Sequence, residues 1–151
     1  MSFQIELSTL FKRDLQRLRK QIESFPTDGS VWVVPVGVTN SGGNLALHLE
    51  GNLREFVGRQ LGKREYQRER PLEFSTKGLF KTDLMSRIDY LIEMVPTVIS
   101  SLSSEEVEKE YPEVVLDAPM STRQFLIHLY GHLSWHLGQI DYVRRIGDSR
   151  P

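Results

Sequence analysis

Apolar residues that recur every three or four positions, in four separate stretches, constrain this chain more than any other feature of it. In residues 3 to 25, Phe3, Leu7, Leu10, Phe11, Leu15, Leu18, Ile22 and Phe25 fall on one stripe. That is the period of a single helix face. Lys12, Arg13, Arg17 and Lys20 take the other side, and Pro26 with the "TDG" after it ends the segment. A second helix starts near Ser41 and runs to about Leu61, with Leu45, Leu49, Leu53, Phe56 and Val57 as its apolar side and Ser41 or Asn44 as its cap. The third covers Lys77 to Leu102, where Pro96 predicts a kink or break near Val95. Ser103 and Glu106 match a capping box for one more short helix. The fourth opens at "STRQ", another capping box of Ser121 with Gln124. It continues to about Ile146, and Gly147 is placed to end it in a left-handed conformation.

The connections are equally informative. "VWVVPVGV", residues 31 to 38, has the look of a strand, but Pro35 and Gly37 interrupt it and no second strand exists to pair with it. Its backbone groups would be left unpaired, so an extended apolar loop across the helices is expected. "GKREYQRERPLEFSTKG" is polar and broken by Pro71. Leu72 and Phe74 are its expected anchors, and its charges are expected to be solvated, in local ion pairs worth little. The whole predicts an all-α fold, a four-helix bundle with long irregular loops after the first and second helices. With 151 residues, it is expected to be one domain over 1–151.

The chain has four histidines, and three of them, His128, His132 and His136, share "HLYGHLSWHLGQI". At ~100° per residue, with His128 at zero, His132 falls at about 40° and His136 at about 80°. Phe125, Leu129, Leu133, Ile140 and Val143 centre the apolar face near roughly 110°. His132 and His136 therefore point into the protein, and His128 sits at the edge. The fourth, His48, shares a flank with Leu45, Leu49, Asn52 and Phe56, so it also faces inward. Burying imidazoles without partners is unfavourable, whereas a divalent cation satisfies several at once. Histidines at i and i+4 can bind one ion, and a third from another helix leaves coordination positions open, as in catalytic sites. Imidazole ligands favour zinc, nickel or ferrous iron over magnesium or calcium. Around this core of candidates, Gln139 is a boundary residue within reach of a ligand, Trp135 is read as packing, and Asn44 and Asn52 flank His48 by one turn.

Composition excludes several roles. A net charge of −1 gives no electrostatic case for nucleic acid or an anionic membrane surface. The longest apolar runs fall far short of the ~20 residues of a membrane span, and the amphipathic start "MSFQIELSTLFKRDLQ" lacks the pattern of a signal peptide. With no cysteine, a disulfide, a zinc–thiolate site and a cysteine nucleophile are all impossible. A cytoplasmic location is the expectation.

"SGGNLALHLEGNLREFVG", "RERPLEF" and "HLSWHLGQIDYVRR", in that order and spacing, resemble the DinB/YfiT-like superfamily of small helical-bundle proteins. The resemblance implies a divalent metal held by one histidine of the second helix and two of the fourth, here His48, His132 and His136. It also implies a small-molecule substrate, since characterised relatives include transferases and isomerases that use low-molecular-weight thiols, and it implies a homodimer. Three functions are expected to compete. One is transfer of an external thiol to an electrophile. The second is metal-dependent hydrolysis, which needs a carboxylate base; Glu50 and Glu55 are near His48 in sequence but not clearly on its face, and Glu73 would have to swing in from the loop. The third is a non-catalytic metal- or ligand-binding module.

Overall fold

The computed structural model describes residues 1–148, so the last three residues of the expected 1–151 domain lie outside the described ones. Among these residues the regular structure is helical: α1 (Phe3–Glu23), α2 (Gly42–Leu53), α3 (Arg70–Ser75), α4 (Lys81–Ser101), α5 (Ser104–Glu108) and α6 (Thr122–Asp148). A 3-10 turn at Ser30–Trp32 and a π-helical segment at Arg54–Arg59 complete the set. The all-α expectation holds. α1 packs along α4, and α2 lies against both α4 and α6. Phe11, Leu15, Leu18, Ile22, Leu49, Leu53, Leu91, Ile99, Leu126 and Leu133 are fully buried between them. Each such side chain contributes about 1.5–3 kcal/mol relative to exposure.

The second helix starts at Ser41, whose hydroxyl accepts the backbone N–H of Asn44. Ser41, not Asn44, is the cap. Its first residues pack with no room to spare, because Phe25 lies on Gly42 and Trp32 on Gly43, where a Cβ would fall 2.5 and 2.6 Å from the rings. After Leu53 the helix widens to the π form. Gln60 N–H reaches back to the Glu55 carbonyl and Gly62 N–H to that of Val57. The Phe56 carbonyl within this segment accepts a hydrogen bond from Tyr111 Oη at 2.6 Å.

Several expectations need correction. Of the kink or break expected at Pro96, the break does not occur, since α4 runs through it as one helix; the ring is carried inside a helix whose neighbouring turns are held by Val95, Val98 and Ile99 in the core. Gly147 lies within α6 and does not end it. Residues 31 to 38 pack only in part, and Pro35 is one of the buried positions. Val31 is buried in the 3-10 turn, but Val34 and Val36 are exposed. Trp135 is exposed and is not a packing residue. The polar loop after the second helix is not simply solvated: it contains α3, with Pro71 in its first turn. The residue of α3 that enters the protein is Glu73, whereas Leu72 is exposed. Both other caps are present: Ser103 with Glu106 forms a full capping box, and Ser121 Oγ accepts the Gln124 N–H.

Candidate metal centre

α2 and α6 bring His48, His132 and His136 together, with one ring nitrogen of each within 4.8 Å of the other two. His132 Nε2 stands 3.1 Å from His48 Nε2 and 3.1 Å from His136 Nε2. His128 is exposed at the edge, its ring stacked on Phe125 at 5.8 Å, and does not join the cluster. The helical wheel had separated these residues in the same way.

The two outer imidazoles are each fixed from behind. His48 Nδ1 donates to Glu73 Oε1 at 2.9 Å. Burial pushes the Glu73 carboxyl up, but hydrogen bonds from His48 and Arg68 and the Arg68 charge more than reverse that and hold it below the usual carboxylate range. An ionised carboxylate only accepts, so His48 carries a proton on Nδ1, and in the neutral ring that leaves Nε2 as the atom able to bind a metal. Arg68 closes on the same carboxylate with Nε at 2.8 Å and Nη2 at 2.9 Å. His136 Nδ1 donates to Gln139 Oε1 at 2.7 Å, which in the neutral ring leaves its Nε2 able to bind as well. Outer partners of this kind set the tautomer and aim of a ligating histidine.

His132 cannot resolve this arrangement within the protein. Its Nδ1 is buried with no hydrogen-bond partner among the described residues. A proton on Nε2 satisfies only one of the two facing lone pairs, and a proton on Nδ1 leaves three lone pairs facing one another. A cation among the three nitrogens satisfies all of them. Ligand nitrogens at ~2.0–2.1 Å from a tetrahedral ion lie roughly 3.3 Å apart, close to the two 3.1 Å separations. Burial, then repulsion from the other imidazoles, lowers the pKa of His132 to about 3, and burial lowers that of His136. Both are thus neutral, the form that binds metal. The three histidines could hold a metal ion.

Glu73 reaches His48 only because Gly51 lets it. A Cβ on Gly51 would lie 1.9 Å from Glu73 Oε2 and 2.6 Å from its Cδ. Asn44 fixes α3 from its other end, with Nδ2 donating to the carbonyls of Glu73 at 3.0 Å and Thr76 at 2.9 Å, while its Oδ1 accepts from Ser41 and Lys77. Neither Asn44 nor Asn52 bonds to the His48 ring. Sequence reasoning gave Glu73 a minor role and missed Arg68 and Gly51. A signal existed: Pro71 is suited to the first turn of a helix, which would have placed Glu73 on a face rather than in a loop. The other acids are engaged elsewhere, Glu50 with Arg54 and Arg87, and Glu55 with Arg59.

No helix among the described residues is long and apolar enough to cross a membrane. Comparison with protein-family models found no match, nor did comparison with curated proteins. Among solved structures, the chain is similar to the crystal structure of a DinB-like protein from Bacillus cereus ATCC 10987. The TM-score is 0.66 over 87% of this chain and 84% of that one, at 16% sequence identity. An all-helical architecture matched over most of both chains identifies the fold of this protein as DinB-like.

Proposed function

We propose that His48, His132 and His136 hold a divalent transition metal, zinc, nickel or ferrous iron, and that the protein is an enzyme transferring a low-molecular-weight thiol to a small electrophile. The observation that carries this reading is the convergence of the His48 and His136 Nε2 atoms on that of His132, with Glu73 and Gln139 fixing the outer rings. Three nitrogen ligands leave coordination positions open. A bound ion there supplies Lewis acidity, which favours the thiolate form of a thiol at an open position. The chain has no cysteine, so the sulfur comes from the co-substrate. In the net reaction a carbon–sulfur bond forms, the bond from carbon to the leaving group breaks, and the thiol hydrogen departs with the leaving group.

The protein's own part is positioning. Glu73 and Arg68 lock the His48 ring, Gln139 locks that of His136, and Phe74 covers His48 at 5.0 Å between ring centroids. Hydrolysis fits less well, because both oxygens of Glu73 are committed to His48 and Arg68 and its lowered pKa makes it a weak proton acceptor. The proposed assembly is a homodimer, following the resemblance, and the proposed location is the cytoplasm, following the composition; size-exclusion chromatography with light scattering tests the former.

Elemental analysis of the untagged protein, beside a His132→Ala/His136→Ala variant, tests the site. One equivalent of transition metal in the wild type and its loss in the variant is the expected result. Metal retained by the variant rules out the site. Metal-dependent consumption of a chlorinated aromatic with cellular thiols tests the reaction. Metal bound without turnover by any thiol leaves a binding module.

A further inference from the structure

Beside the histidines lies a cavity of about 430 Å³ that opens on His48 and His132. Its polar lining is cationic or neutral, with Arg68, Arg70, Asn52 and His128, and no acidic side chain contributes to it. Its other wall is apolar, with Phe56, Phe125 and Leu129. Arg68 is neutralised by Glu73, but its Nη1 makes no bond among the described residues. Arg70 has no carboxylate partner among them, and its guanidinium only rests over the Phe74 ring at 5.5 Å. Asn52 is buried, with its side-chain oxygen lacking any partner.

We infer that this cavity binds an organic anion, with its carboxylate on Arg70 and the free edge of Arg68 and its apolar body against Phe56, Phe125 and Leu129. An unpaired guanidinium at the mouth of a cavity without acids attracts an anion and binds a carboxylate in a forked geometry. The aromatic floor excludes small inorganic anions as the best occupants, because it gains nothing from them. The unpartnered Asn52 oxygen favours a ligand that also carries an N–H or O–H donor, since an unmet buried acceptor is unfavourable. Arg70 is thus a specificity-determining residue. The inference deepens the proposed function, since the anion is the handle by which the substrate is held beside the histidines.

The test uses the full chain, loaded with zinc, and fluorine NMR titration with 4-fluorophenylacetate and its neutral amide. Saturable millimolar binding of the acid is expected, with the amide weaker. Arg70→Gln should weaken the acid by roughly ten-fold, the scale of one charge-assisted hydrogen bond, without changing metal content. Arg70→Lys should recover part of the loss. Equal binding of acid and amide, an unchanged Arg70→Gln variant, or no saturable binding of the acid overturns the inference. Zinc content measured on the same samples separates the two readings. If the wild type carries no metal yet shows Arg70-dependent binding, the metal reading falls and the anion site stands. Metal binding with an Arg70-independent affinity gives the reverse.

Discussion

Gly51 is the residue on which the arrangement behind His48 turns, and Gly51→Ala is the substitution that exposes it. The new Cβ would fall 1.9 Å from Glu73 Oε2. To reach ordinary contact the carboxylate must retreat by about 1.5 Å. Its bonds to His48 Nδ1 at 2.9 Å and Arg68 Nε at 2.8 Å cannot survive such a move. Hydrogen bonds to charged groups contribute about 1.5–3 kcal/mol each, and replacing glycine in a helix by alanine returns about 1 kcal/mol. The net expectation is a loss of roughly 2–5 kcal/mol, which for a chain of this size lowers the melting temperature by about 5–20 °C. Metal affinity should fall by about 10–100-fold, the usual cost of losing an outer partner of a ligand. Calorimetry and competition with a chelator read the two effects. The decisive comparison is a double-mutant cycle with Glu73→Ala. Once the carboxylate is gone, Gly51→Ala should become neutral or stabilise by about 1 kcal/mol. A Gly51→Ala protein as stable as the wild type, or an equal loss in both backgrounds, would refute the reasoning.

Other expectations follow from single contacts. Tyr111→Phe removes the hydroxyl that satisfies the Phe56 carbonyl of the π segment, and chemical denaturation should show a loss of about 1 kcal/mol. Ser41→Ala leaves the buried N–H of Asn44 without its acceptor and should cost about 1–2 kcal/mol in the same assay. Asp14 is buried beneath Arg13, Arg17 and Tyr130. Burial pushes its carboxyl up, but hydrogen bonds from Arg13 and Tyr130 and the charges of both arginines hold it below the ordinary range. A folded pKa below the unfolded value, which is about 3.9, contributes stability that is present above the unfolded value and lost as pH falls through the folded one. Asp14→Asn should therefore lose stability at neutral pH and flatten the acid limb of a stability–pH profile; an unchanged acid limb would show that Asp14 does not contribute to it.

The helices were legible in the sequence because each is a local event. Their apolar stripes, the Ser41, Ser103 and Ser121 caps and the inward turn of His48, His132 and His136 depend on residues within a few positions of one another, which is the range over which helix period and capping act. The same local logic put His128 at the edge and failed where the neighbourhood was decided elsewhere. Trp135 and Leu72 are apolar yet exposed, because no other element comes to cover them. Glu73 is charged yet buried, because His48 and Arg68 offset its desolvation and Gly51, on a different helix, leaves the space it fills. The sequence by itself determined which side chains share a helix face. Only the tertiary structure decided which of them meet: the 3.1 Å approach of His48 to His132 spans 84 positions of chain, and no local pattern encodes a contact made by packing one helix on another.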